Sequence, residues 1–311
     1  MSVKAGFLRR VQSGVLLFDG AMGTQIQAQG LPRGTCPEEW NISHPRVIEQ
    51  IHRTYFQSGS DVVTTNSFGG NRFLLEEYGH GDRVREFNLA AARLAGGTCP
   101  EGRWVAGSVG PTGELLEPYG LRTFEEIRDG FSDQISALAE GGVDLLCIET
   151  MSDLEEIRAA IEAAKTVSDL PVCATMAFDL GKKGYRTIMG VGPQEAARTL
   201  EEAGADVIGC NCGGVSVEDM ADLVRELRGA SPLPILAQAN AGLPQLVDDE
   251  TVHPQGPEEY SEGVIHLLEA GATLIGGCCG TTPDHIRATA QRIRDHLLPR
   301  YGSDNPSRSA S

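Results

Sequence analysis

Short apolar runs and longer amphipathic stretches alternate along this chain eight times. The apolar runs span 15–21, 61–68, 104–110, 144–151, 171–178, 206–212, 234–240 and 273–279. They are rich in Val, Ile, Leu and small residues and do not alternate with polar ones, the pattern of strands covered on both faces. The stretches between them carry helical spacing, as in 45–57, where Val47, Ile48, Ile51 and Tyr55 share one face. Similar helices are expected over 124–140, 153–167, 194–203, 217–228, 258–270 and 283–298, with one long helical region over 71–95. Gly59-Ser-Asp61, Gly141-Gly-Val-Asp144, Gly204-Ala-Asp206 and Gly271-Ala-Thr273 each precede a run, and a glycine there suits a helix C-cap. Thr123 with Glu126 has the form of a capping box, and Pro193 and Pro283 suit first helical turns. Eight strand–helix units predict an α/β fold, a single-domain (β/α)8 TIM barrel over residues 10–298. A doubly wound open sheet is the alternative, but no G-x-G-x-x-G follows the first run.

The rest of the composition narrows the function classes. A net charge of -17 and few aromatic residues argue against a nucleic-acid surface. The start, Met1-Ser-Val-Lys-Ala-Gly6, has no apolar signal region, and no apolar stretch approaches a membrane span, so a cytoplasmic protein is expected. Residues 299–311 are polar and Ser-rich and read as a disordered tail. Eight cysteines in 311 residues do not suggest a disulfide scaffold; clustered ones point to metal or catalysis. Cys147 and Cys173 sit in apolar runs and are expected in the core.

In a barrel the chemistry lies at the C-terminal ends of the strands. Run six ends in Cys212 and run eight in Cys278-Cys279, so three thiolates can hold one zinc ion and leave its fourth position open. Cys210, two residues before Cys212 and expected on the same strand face, is the competing ligand. The bland readings of adjacent cysteines are two buried small residues or a vicinal disulfide. Asp19 and Glu149 end runs one and four, where each is either a capped turn residue or part of a site for an ammonium group. The turns at Gly276-Gly277 and Gly110-Pro-Thr-Gly113 offer backbone N–H groups to a carboxylate, and a phosphate at the eighth turn is a competitor. A thiol-bearing amino acid suits all of these features. The histidines are scattered, are expected to be mostly solvated, and suggest no imidazole site.

At these residues the chain resembles the homocysteine S-methyltransferase family. The matching segments are Asp19-Gly-Ala-Met-Gly-Thr24, Pro37-Glu-Glu-Trp-Asn41, 59–68, Gly110-Pro-Thr-Gly-Glu114, Asn211-Cys212, Asn240-Ala-Gly-Leu-Pro244 and 276–283. Within the family the pattern is most similar to the homocysteine-binding domain of cobalamin-dependent methionine synthase. The resemblance implies a zinc-dependent methyltransferase that converts homocysteine to methionine. It carries zinc over to Cys212, Cys278 and Cys279, the amino group of homocysteine to Asp19 and Glu149, and a place near the metal to Asn240. No catalytic residue beyond the zinc site is implied. The donor is expected to be methylcobalamin on a corrinoid methyl-carrier protein acting in trans, because no cobalamin or folate module is recognised in the chain. The alternatives are a small sulfonium donor, S-methylmethionine or S-adenosylmethionine, and a non-catalytic zinc-binding docking barrel. Betaine is disfavoured: the segment Asn66-Ser-Phe-Gly-Gly70 has no tyrosine with which to cage a quaternary ammonium.

Overall fold

The computed structural model describes residues 2–247 and 250–298. The tail expected over 299–311 lies outside the described residues. Each of the eight apolar runs contributes one strand: β1 (Leu16–Leu17), β2 (Val62–Thr64), β3 (Trp104–Val109), β4 (Leu145–Met151), β5 (Val172–Met176), β6 (Val207–Asn211), β7 (Ile235–Ala239) and β8 (Leu274–Gly277). All are parallel, and neighbours run β1-β8-β7-β6-β5-β4-β3-β2. A parallel bridge between Phe18 and Val62 joins the two ends, making the (β/α)8 barrel.

Glycine turns explain how four of the helices hand the chain to the next strand. Gly59, Gly142, Gly204 and Gly271 have φ of 113°, 93°, 93° and 107°, which lets the chain leave the helix in the left-handed region. The aspartate two positions further on then accepts a backbone N–H from the start of a neighbouring strand. Asp61 accepts from Leu17 at 3.0 Å, Asp144 from Val105 at 2.8 Å and Asp206 from Val172 at 2.9 Å. Thr273 takes the fourth such place, and its buried hydroxyl has no partner.

Strand parity divides the core. Outward residues such as Ile148, Ile208, Cys210 and Ile235 pack under the helices. Inward residues at the strand starts, among them Leu16, Val62, Leu145, Cys147, Cys173 and Val207, pack on Phe7 and Val11. Those two belong to the helix Val3–Gln12, which the apolar spacing did not announce and which closes the bottom of the barrel. Two residues further along five of the strands the interior turns polar: Thr64, Ser108, Glu149, Thr175 and Gln238 stand above the apolar layer, joined by Asn211 of β6. That polar layer is the floor of the barrel mouth.

Other differences from the sequence reading have local causes. The region expected as one helix over 71–95 breaks into Arg72–Glu77 and Val84–Gly96, interrupted at Gly79-His80-Gly81. Short hairpins, Asp179–Gly181 with Gly184–Arg186 and Gln245–Val247 with Glu250–Val252, extend the loops after β5 and β7. The Thr123–Glu126 capping box forms, and Pro193 and Pro283 open their helices. No helix among the described residues is long and apolar enough to cross a membrane.

Candidate metal centre and substrate cavity

Cys212 follows β6 directly, and Cys278 and Cys279 follow β8. Their three sulfurs lie within 4.8 Å of one another, and the Cys212 and Cys279 Sγ atoms are 3.9 Å apart. Tetrahedral zinc with Zn–S bonds near 2.3 Å needs sulfurs about 3.8 Å apart, so this spacing fits the ion. Protonation tells the same story. Hydrogen bonds from Cys278 and Cys279 push the Cys212 thiol far down, while the other two are pushed up. A cation among the three sulfurs would favour the thiolate form of each.

Cys210 is not part of this cluster, and it does not share a face with Cys212. It points outward under the helices and is buried. Strict alternation would send Cys212 outward too. Instead Cys212 has φ of 57°, a left-handed conformation that breaks the alternation and returns its sulfur to the mouth. The next residue fixes the turn: Gly213 has φ of 68°, and a Cβ there would lie 2.1 Å from the Phe178 carbonyl oxygen.

A cavity of about 260 Å³ opens beside the thiols, small by the standard of ligand pockets. Its wall includes Glu149, Thr150, Gln238 and all three cysteines. Three larger depressions, near 590, 570 and 500 Å³, contain none of these groups. Glu149 accepts from the Ser108 hydroxyl at 2.6 Å, and burial pushes its carboxyl up to about 7. Asp19 is held differently. Its carboxylate accepts from the Thr64 amide at 2.8 Å and hydroxyl at 3.2 Å, and it sits behind Thr64 rather than on the cavity wall. Burial raises it well above the usual range, with Glu149 adding to the effect. An ammonium group beside these two acids would favour their ionised forms. Asn240 is close to Cys212: its Nδ2 donates to the Gly213 carbonyl at 3.0 Å, and its buried Oδ1 has no partner.

The glycine-rich turns are less available to an anion than their sequence implies. Gly110 donates to the Phe68 carbonyl, and Thr112 donates both its N–H and its hydroxyl to buried Glu156. Gly277 donates to the Asp19 carbonyl, Cys278 to the Ala239 carbonyl and Gly280 to the Thr24 hydroxyl. Two histidines are buried rather than solvated. His285 sits in the capping box of its helix, between Thr282 and the Gln255 carbonyl. His52 is fully buried with both ring nitrogens unpartnered. Sequence reasoning also missed Ser108, Asn211 and Gln238. Inward parity at the strand ends marks each of them.

A family model described as homocysteine S-methyltransferase matches residues 16–293. Among curated proteins, methionine synthase of Mycobacterium tuberculosis is 34% identical over 315 residues, covering 95% of this chain and 26% of that protein. Methionine synthase of Mycobacterium leprae is 35% identical over 305 residues, covering 92% of this chain and 25% of that protein. The chain thus spans about a quarter of the length of these two relatives. Among solved structures, the metallated form of the homocysteine methyltransferase MmuM from Escherichia coli superposes with a TM-score of 0.76 at 23% identity, covering 92% of this chain and 99% of that one. At that identity the likeness speaks to the fold.

Proposed function

The chain belongs to the homocysteine S-methyltransferase family, and from that premise we propose that it moves a methyl group onto the thiol of homocysteine to give methionine. The observation that carries this reading is the meeting of three thiols and a half-buried carboxylate in one small cavity at the strand ends. Cys212, Cys278 and Cys279 are the residues that would hold zinc. Zinc held there would supply a Lewis acid that deprotonates a coordinating thiol at neutral pH. Glu149 meets the amino group of the substrate from the cavity wall, and Asp19 adds negative charge from behind Thr64. The Ser108 hydroxyl fixes the Glu149 carboxylate, so that the amino group, and through it the sulfur, is held in one orientation. Asn240, whose carboxamide hydrogen-bonds to the Cys212 sulfur and whose buried oxygen is free, would stand near the metal and could approach it in the absence of substrate. No general base is required in this scheme.

For the donor, the reading is a methyl-corrinoid carried on a protein that covers the mouth. The support is where this chain exposes large apolar side chains: Phe68, Leu115, Tyr119, Leu121, Ile188 and Leu246 all stand on loops that follow the C-terminal ends of strands. Apolar surface gathered around a site is the mark of a protein-docking face. A small sulfonium donor needs no such rim. The test is a donor panel with zinc-loaded protein and homocysteine, reading methionine. Turnover with methylcobalamin, as surrogate for the carrier, supports the corrinoid reading; turnover with S-methylmethionine or S-adenosylmethionine alone replaces it. No methionine from any donor, with zinc bound but no homocysteine binding, leaves a docking barrel.

A further inference from the structure

Two residues other than glycine adopt positive φ among those described: Thr150 at 63° and Cys212 at 57°. Thr150 is β-branched, for which this conformation is a genuine outlier. One follows the carboxylate on the cavity wall and the other is a sulfur of the candidate metal centre. They stand on different strands, and the sheet register shifts between Ile148 and Met151, where Glu149 and Thr150 bulge out of the β4–β5 ladder. The Thr150 turn is hydrogen-bonded to the side chain of Asn211, the residue that directly precedes the Cys212 turn and is fully buried at the end of β6.

The carboxamide of Asn211 is used at both ends. Its Oδ1 accepts from the Thr150 N–H at 2.8 Å and from the Thr175 hydroxyl at 2.6 Å. Its Nδ2 donates to the Thr150 hydroxyl at 2.7 Å and to the Cys278 sulfur at 3.8 Å. The Thr150 N–H can only donate, so the amide orientation is fixed: the oxygen must face it, and the nitrogen must face the sulfur. An aspartate could keep the first pair of bonds, but it would place an anionic oxygen against Cys278. A leucine would leave the Thr150 N–H and the Thr175 hydroxyl buried without an acceptor.

We propose that Asn211 is a positioning residue that couples the two halves of the site, locking the Glu149–Thr150 turn with one end of its carboxamide network while donating to a metal-ligand sulfur with the other. This rests on the reading of the site as a zinc and homocysteine centre. Its consequence is that metal geometry and amino-group recognition are not independent. The N–H donor steadies the sulfur of Cys278, and the paired bonds to Thr150 set where Glu149 stands. A disturbance of Asn211 reaches both.

The test compares wild type with Asn211→Asp and with Thr175→Val, which removes one bond to Asn211 while touching neither the thiols nor Glu149. Zinc affinity is read by competition with a chromophoric chelator, and the ligand field by the absorption of the cobalt(II)-substituted protein. At saturating zinc, binding of homocysteine is compared with binding of 4-mercaptobutanoate, which has the thiol and the carboxylate but no amino group. Asn211→Asp is expected to weaken zinc about ten- to a hundredfold, to shift the thiolate-to-cobalt band, and to narrow the preference for homocysteine over 4-mercaptobutanoate. Thr175→Val moves all three in the same direction by less, and it decides the matter if Asn211→Asp does not fold. Loss of zinc affinity with the amino-group preference intact overturns the coupling, as does a folded Asn211→Asp protein with all readouts unchanged. Wild type that binds neither zinc nor homocysteine overturns the underlying site reading and this proposal with it, whereas an unchanged variant beside a competent wild type overturns the coupling alone.

Discussion

Replacing His52 with Leu should make the protein less sensitive to acid, by an amount the burial of that ring sets. His52 lies inside the helix Pro45–Ser58, fully buried, with neither ring nitrogen partnered. Burial alone lowers it from 6.5 to about 4. The fold therefore holds it neutral, while the unfolded chain takes up a proton as pH falls through 6.5. The stability this conformer has above 6.5 is lost as pH falls from there towards 4, and the loss is complete below 4. A shift of this size corresponds to about 3 kcal/mol in total, of which about 2 kcal/mol has gone by pH 5. Leucine has no proton to take up and leaves no orphaned nitrogen. His52→Leu should match or exceed wild type at pH 7.5 and gain about 2 kcal/mol on it at pH 5. Asp19 and Glu149 act in the opposite sense, because their raised values favour the fold as pH falls. The wild-type profile alone is thus uninformative, and the difference between the proteins is what matters. Urea unfolding of both at the two pH values, with metal removed by chelator, measures it. A gap that stays constant between pH 7.5 and 5 would refute the claim that this ring is shut away from protons.

Changing Cys212, Cys278 or Cys279 to Ala should each remove bound zinc, whereas Cys210→Ala should keep it, as elemental analysis of the purified proteins will tell. Glu149→Gln should weaken homocysteine binding roughly 10- to 100-fold, the scale of one charge-assisted hydrogen bond, and Asp19→Asn by less, since Asp19 stands behind Thr64; equal loss of zinc in both variants would place these acids in the metal site instead. Gly213→Ala puts a methyl group against the Phe178 carbonyl at a left-handed position, so calorimetry should find a loss of stability together with a fall in zinc content. Betaine should give no methionine, and its rapid turnover with no use of methylcobalamin would place the chain in the betaine branch.

The barrel was legible because it is written as repetition. Eight apolar runs and four glycine turns each recur, and each error was local, as at Gly79-His80-Gly81, where two glycines cut a helix the spacing joined. The helix Val3–Gln12 escaped because only Phe7 and Val11 of it are fully buried, too few to mark a period. At the site, the residue types were readable and the directions were not. Cys210 and Cys212 have the same parity on paper, and only the left-handed turn at Cys212 separates them. The place of Asp19 at a strand end is readable, but the hydrogen bonds from Thr64 that hold its carboxylate are not. Asn211 and Gln238 look like ordinary polar residues until the closed barrel points them inward.

X-ray absorption at the zinc edge, with and without homocysteine, addresses the central claim most directly. The account predicts about one zinc per chain in a site with three sulfur ligands at ~2.3 Å, rising to four sulfurs when homocysteine is added. A protein that takes up no zinc, or a three-sulfur site whose ligand count does not change with homocysteine, would contradict it.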